Sequence, residues 1–412
     1  MTYFKRTPLA TQMAQQLLNP GVLDQGLRSG LFIAGQRRTG KTTFLRQDLI
    51  PALEERGAIV VYVDLWSDTK ADPAALVNAA VRRTLEDMQA PGSGLWDRVK
   101  RLKGVDVGAA GFKFAFNLGD VGEPGGTTLA QALTEVVDRA KTDVVLIIDE
   151  VQQTLASDSG AQMMLAIKAA RDAINPRPNT PGFFIFIGTG SHRAQVAELT
   201  RGRNQAFVGA TSIPYPTLDG EYVEYLLQEL AAQKAPAIPS LPLATTAFET
   251  MGFRPEEMVR ALRILQQENP SQADLVFPAI AHALKTSAAD TELRKLEDLG
   301  TLAEAIFDRV ARAEEAATGL YAADALAEYR QAVGGDVTAI QVQRMTEEMR
   351  DANIIMRIAH GAYAVTDPFV RQAWNERKHH LRPAGATLAL EGAPPNVAVE
   401  PLQPKTKHKP LE

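Results

Sequence analysis

Leu31-Phe32-Ile33-Ala34-Gly35-Gln36-Arg37-Arg38-Thr39-Gly40-Lys41-Thr42-Thr43 runs an apolar tetrapeptide into a glycine-bounded loop, a lysine and two threonines. Residues 35–42 match the pattern G-x-x-x-x-G-K-[ST] at every fixed position. The glycines let the backbone curl until successive N–H groups converge on a phosphate. LFIA before the loop reads as a strand, and TFLRQDLIPAL after it as a helix, so the positive end of a helix dipole faces the same point. Lys41 places a cation on the β- and γ-phosphates, and the Thr42 hydroxyl is a ligand for Mg²⁺. The phosphate-binding set is therefore Gly35, Gln36, Arg37, Arg38, Thr39, Gly40, Lys41, Thr42 and Thr43. Arg37 and Arg38 are expected to offer backbone N–H groups while their side chains point outward, to DNA, a partner subunit or solvent.

Phosphate binding alone does not give hydrolysis, which needs acids on a neighbouring strand. Val144-Val145-Leu146-Ile147-Ile148-Asp149-Glu150 supplies them: five apolar residues of a buried strand end in two carboxylates at the edge where α/β proteins bind ligands. Asp149 suits Mg²⁺, directly or through water, and Glu150 suits the attacking water. A third strand, Phe183–Ile187, is followed by Gly188-Thr189-Gly190-Ser191. A hydroxyl there can reach the γ-phosphate or the lytic water, and Thr189 and Ser191 both qualify.

Further strands are expected at Ala58–Leu65 and Ala206–Ile213, with helices at Thr43–Arg56, Ala74–Met88, Leu129–Ala140 and Gln162–Ala173. Apolar strands alternating with helices imply a parallel sheet covered on both faces. After about Pro216 the pattern becomes helical, at Gly220–Ala232, Pro255–Glu268, Leu275–Thr286, Thr291–Ala317 and Ala322–Ala332. Helices at Tyr321–Val333 and Ala339–Ala352, then the hairpin Ile354–Ile358 and Ala362–Val365 around His360-Gly361, outline a winged helix. The expected partition is an α/β domain at 1–218, a helical lid at 219–318, a winged-helix-like domain at 319–380 and a disordered tail at 381–412, where six prolines follow Arg382. Within the first domain, Trp96–Gly126 reads as an inserted surface hairpin with a basic start.

Composition narrows the chemistry. With 412 residues, two or three domains are expected. Forty-four basic against 49 acidic side chains give a net charge of −5, which excludes a globally basic nucleic-acid coat. Absence of cysteine excludes disulfides, Fe–S clusters, Cys-ligated zinc and thiol catalysis. The N-terminus lacks the apolar run of a signal peptide, and no apolar run is long enough to span a bilayer. A cytoplasmic location is expected.

The phosphate loop GQRRTGKTT, the acidic strand VVLIIDEVQ and the hydroxyl-tipped strand FFIFIGTGS together resemble AAA+ P-loop ATPases, in the branch of origin-recognition and archaeal-type ATPases that grades into STAND signalling ATPases. Phe4-Lys5-Arg6, ahead of a helix, is similar to the short F-x-R lead-in of those proteins. The resemblance implies an ATP site between a P-loop α/β domain and a helical lid, a Mg²⁺ cofactor, and ATP hydrolysis to ADP and phosphate. It implies a lid arginine on the γ-phosphate, for which Arg254 in Met251-Gly252-Phe253-Arg254 is the best match and Arg260 the next. It also implies an arginine finger near the end of the α/β domain, at Arg203 or Arg201, with Arg203 favoured. A molecular switch that couples nucleotide state to a protein partner or to self-association is the leading expectation; the alternative is a loader or transposition-type ATPase that assembles on duplex DNA. Two arginines against three acids in Gln341–Asp351 fit the switch better, since a major-groove helix faces a dense phosphate array.

Overall fold

The computed structural model describes residues 3–68, 71–90, 112–191, 206–268, 271–313, 316–359 and 361–381, together with Gly94, Val196, Leu199 and Thr200. The first unit is a parallel sheet of five strands, β1 (Leu31–Ala34), β2 (Ile59–Asp64), β3 (Val144–Asp149), β4 (Phe184–Gly190) and β5 (Thr211–Pro214), in the order β2-β3-β4-β1-β5. Successive side chains of a strand face opposite layers, and here both layers are apolar. Val144, Leu146 and Ile148 enter one core with α4 (Pro73–Gln89), α5 (Leu129–Ala140) and α6 (Asp158–Ile174). Val145 and Ile147 enter the other, with α1 (Thr7–Leu18), α2 (Lys41–Phe44) and α3 (Ile50–Glu55). That is why these strands read as continuous apolar runs. Helix starts are locally encoded: Asp72 accepts the N–H groups of Ala74 and Ala75 at 2.7 and 3.2 Å, and Thr128 and Gln131 cap each other reciprocally.

Two strand expectations shift. β4 runs on through Gly188, Thr189 and Gly190, because the Gly35 N–H donates to the Gly190 carbonyl at 3.0 Å and prolongs the ladder. The strand expected at Ala206–Ile213 is a turn followed by the short β5; Phe207 leaves the ladder to stack on Phe186, ring centres 4.6 Å apart. Of the expected hairpin at Trp96–Gly126, residues 95–111 lie outside the described residues, and 112–126 contain no strand.

The second unit packs α7 (Gly220–Ala232), α8 (Leu241–Thr250), α9 (Pro255–Glu268) and the first half of α10 (Ala273–Asp298) around Phe248, Met258 and Phe277. Helix α8 was not read from the sequence, and the break expected between Thr286 and Thr291 is absent, since α10 is continuous. The chain turns instead at Gly300, whose φ of 88° suits glycine.

The third unit holds α11 (Thr301–Arg312), β6 (Ala317–Thr318), α12 (Ala323–Val333), α13 (Ala339–Asp351), β7 (Ile355–Ala359), β8 (Ala362–Val365) and α14 (Pro368–Leu381), with sheet order β6-β8-β7. Its core runs from Leu293 to Trp374 and includes Ile306, Phe307 and Val310 of α11. The helix assigned to the lid by sequence thus packs with the winged-helix-like unit, because its apolar stripe faces α12 and α13. Residues 382–412, the greater part of the expected tail, lie outside the described residues. Among the described residues no helix is long and apolar enough to cross a membrane.

Phe186 is fully enclosed between Phe32 and Phe207. Phe186→Ala is expected to destabilise the α/β unit by about 3–5 kcal/mol, read as an earlier urea midpoint for that unit's transition.

Candidate functional site

The strand order places β4 between β1 and β3, so three C-terminal strand ends meet at one edge. The loop after β1 has the backbone its motif requires. Gly40 sits at φ 91°, and a Cβ on Gly35 would fall 2.5 Å from Cβ of Tyr215, so neither position admits a side chain without displacement. The Lys41 ammonium is buried and donates to the Gly35 and Gln36 carbonyls at 2.8 and 3.0 Å. No ion pair joins it to a carboxylate among the described residues. Burial lowers it below the ordinary lysine range, and the more distant charges of Glu150 and Asp149 oppose that shift.

Asp149, 1% exposed, receives three hydroxyls. Thr42 donates to Oδ2 at 2.5 Å, Tyr62 donates to the same oxygen at 3.3 Å, and Thr189 donates to Oδ1. Burial and the neighbouring carboxylates push the Tyr62 hydroxyl well above its ordinary range, so it remains a donor. Carboxylate and hydroxyl oxygens are the hard donors that Mg²⁺ prefers, and the donor set of Asp149 and Thr42 fits that ion.

Glu150 occupies the left-handed region at φ 58°, ψ 43°, a backbone cost of about 1–3 kcal/mol. Its Oε2 accepts the Ser191 hydroxyl at 2.9 Å and the Gln152 amide. Gln152 also donates to Ser191 Oγ at 3.1 Å, and Arg37 Nε donates to the same oxygen at 3.4 Å. The sequence left Thr189 and Ser191 open as alternatives, and the structure divides them: Thr189 serves Asp149 and Ser191 serves Glu150.

The Arg37 side chain departs from expectation, since it turns inward and lies over the Trp66 ring at 4.1 Å from its centre. Arg254 departs too. Its guanidinium is buried and donates to both oxygens of Asp367, at 2.8 and 2.9 Å, with the Phe369 ring centre 4.3 Å away and that ring filling the space where a Cβ on Gly252 would fall. Asp367 draws it there because that carboxylate already caps α14, accepting the Phe369 N–H at 2.9 Å. Among the described residues its polar partners are therefore those of the third unit and not of the phosphate loop. Arg260 pairs loosely with Glu257, at 3.9 Å. Arg201 and Arg203 lie outside the described residues.

Arg6 ties the loop's surroundings to the lid. It donates to Tyr215 Oη, the Pro216 carbonyl and the Thr217 carbonyl at 3.1, 2.6 and 3.3 Å, while Phe4 packs on Tyr222 and Tyr225 of α7. Sequence reasoning missed Tyr62, Trp66, Gln152, Tyr215 and Asp367. Gln152 and Tyr62 were within reach: one lies two residues past Glu150, the other shares a β2 face with Asp64, which pairs in register with Asp149.

The AAA domain family matches residues 25–196, a span that contains the phosphate loop, both acids, Thr189 and Ser191. These residues are an AAA domain. With it the chain is a nucleotide-dependent ATPase with the parallel α/β sheet of P-loop proteins. No curated protein matches the sequence. Among solved structures, the chain is similar to the Walker-type ATPase PABY2304 of Pyrococcus abyssi, at 15% identity over 88% of this chain and 95% of that one, TM-score 0.49. It is similar to the Aeropyrum pernix ORC1 protein, solved in complex with DNA, at 14% identity over 92% and 94%, TM-score 0.44. The Aeropyrum pernix ORC2 protein, solved with ADPNP and ADP, follows at 14% identity over 91% and 94%, TM-score 0.46.

Two outcomes follow from the AAA domain's charges and their neighbour. Lys41 is easier to protonate unfolded than folded, so without nucleotide the domain's stability is expected to rise with pH from the lowered folded value up to 10.5. Lys41→Met should flatten that slope, stabilise the nucleotide-free protein by about 1 kcal/mol and abolish the thermal shift caused by ATP, all readable by scanning calorimetry. Asp367→Ala strands the Arg254 charge in a buried site and should cost the lid and third unit about 3–5 kcal/mol in urea unfolding.

Proposed function

We propose that the protein is an ATP-driven switch, in which ATP binding and hydrolysis at the phosphate loop rearrange the lid and the winged-helix-like unit and so change the surface offered to a protein partner. The observation that carries this reading is the unpaired Lys41 cation, buried at a helix N-terminus and facing Asp149 and Glu150 across the sheet edge. A desolvated cation bonded, among the described residues, only to two carbonyls of its own loop is a receptor for an anion, and the loop's N–H groups give that anion the shape of a phosphate.

Within this reading Gly35 to Thr43 cradle the phosphates and Lys41 holds the β- and γ-oxygens. Thr42 and Asp149 hold Mg²⁺, which supplies charge neutralisation for the transferring phosphoryl group. Glu150 orients the attacking water and takes its proton. Ser191 and Gln152 fix that carboxylate, and Thr189 fixes Asp149. The switch element is the pair of joints around the lid. Phe4 and Arg6 link the sheet to α7, and Arg254 with Asp367 links α9 to α14. Movement of α9 is therefore passed to the third unit through a buried ion pair.

A protein partner fits the third unit better than duplex DNA does. In α13, Arg344 is engaged with Glu348 at 3.0 Å, and Glu347 and Asp351 against Arg350 leave the rest of the helix net acidic.

Lys41→Ala is expected to lose ATP binding by isothermal titration calorimetry. Glu150→Gln should bind ATP with near wild-type affinity while phosphate release slows about a hundredfold to ten-thousandfold. Hydrolysis by Glu150→Gln at the wild-type rate would remove the base role.

A further inference from the structure

Arg37 is the third residue of the phosphate loop, a position whose side chain nothing in the motif directs inward. Its guanidinium nevertheless lies against the Trp66 ring at 4.1 Å, with Nε 3.4 Å from Ser191 Oγ. Ser191 in turn donates to Glu150 Oε2 at 2.9 Å. Two polar contacts therefore separate Arg37 from the side chain assigned to activate water. Lys41 lies at the other end of the loop's reach, on the Gly35 and Gln36 carbonyls.

Half-buried, Arg37 is held below the ordinary arginine range by desolvation, an effect opposed by the charges of Glu150, Asp367 and Glu292. None of these three carboxylates pairs with it directly among the described residues. Among the described residues its one hydrogen bond is the long contact to a neutral hydroxyl. A guanidinium has five N–H donors in a planar fork, and this one leaves most of them free beside the water-activating glutamate. Trp66 holds the guanidinium against its ring, which places its donors ready for an oxyanion.

We propose that Arg37 acts in cis on the terminal phosphate of a bound nucleoside triphosphate, turning from Ser191 onto a γ-oxygen and leaving Ser191 to serve Glu150 alone. The proposal rests on the ATPase reading of the same site. In the step it assists, the water oxygen bonds to the γ-phosphorus, the bond to the β–γ bridging oxygen breaks, Glu150 takes the water proton, and ADP departs with the bridging oxygen. Arg37 transfers no proton; it stabilises charge on the phosphoryl oxygens. Its selectivity is for a third phosphate, so it distinguishes ATP from ADP.

The test uses the full-length protein and its Arg37→Ala and Arg37→Lys variants, with ATP affinity measured in a Glu150→Gln background to prevent turnover. Arg37→Ala is expected to weaken ATP about tenfold, to leave ADP within twofold, and to lower kcat about a hundredfold to a thousandfold. Arg37→Lys should restore ATP affinity in part, but not kcat, because a point charge cannot fork between two oxygens. Trp66 emission, with Trp66→Phe as the blank, should change on adding ATP and not ADP as the cation leaves the ring. Mixtures of wild-type and Arg37→Ala protein should show activity proportional to the wild-type fraction. Equal losses for ATP and ADP would reduce Arg37 to a structural clip, and recovery of activity in mixtures would overturn action in cis. If Lys41→Ala and Glu150→Gln behave as stated above while Arg37→Ala hydrolyses normally, this inference alone fails. If Lys41→Ala binds ATP like the wild type, the ATPase reading of the site fails with it.

Discussion

The carboxylate of Asp149 is the point on which four strands are fastened. It belongs to β3, and it receives a hydroxyl from Thr42 after β1, from Tyr62 on β2 and from Thr189 on β4. A charge this deeply enclosed is tolerable only when its lone pairs are occupied, and three neutral donors meet that need without cancelling the charge. The carboxylate is thus fixed in position beside the phosphate loop. Parallel pairing in the order β2-β3-β4-β1 is what brings the three donors to it, since every strand ends at the same edge.

Local chemistry made much of this legible in the sequence. The phosphate loop and the acidic strand are contiguous runs whose residues act close to where they stand, so Gly40, Lys41, Thr42 and Asp149 could be placed from motif and periodicity. The sheet was legible for the same reason: strands buried on both faces have to be apolar throughout. Helix α8 escaped because LPLATTAFET carries a proline and three threonines and has a weak apolar stripe. The boundary of the third unit escaped because the stripe of α11 does not state which neighbour it faces.

What stayed hidden was long-range direction. Arg254 and Asp367 are 113 residues apart, and Arg37 and Ser191 are 154 apart. Nothing local says that one arginine goes to a capping aspartate or that another folds over a tryptophan. A long cationic side chain on four rotatable bonds takes its direction from the assembled surroundings. The same holds for Glu150, whose left-handed backbone separates its duties from those of the acid beside it.

Arg6 also bears on how the sheet and lid units can move. Its guanidinium grips consecutive carbonyls of the connector between them, its rings of contact are Phe44 and Tyr215, and its own N–H is held by Asp48 at 3.1 Å. A connector clasped in this way has little freedom to bend at will. The connector is thereby moored to a stretch of chain 210 residues earlier, and Phe4 carries the same mooring onto the two tyrosines of α7.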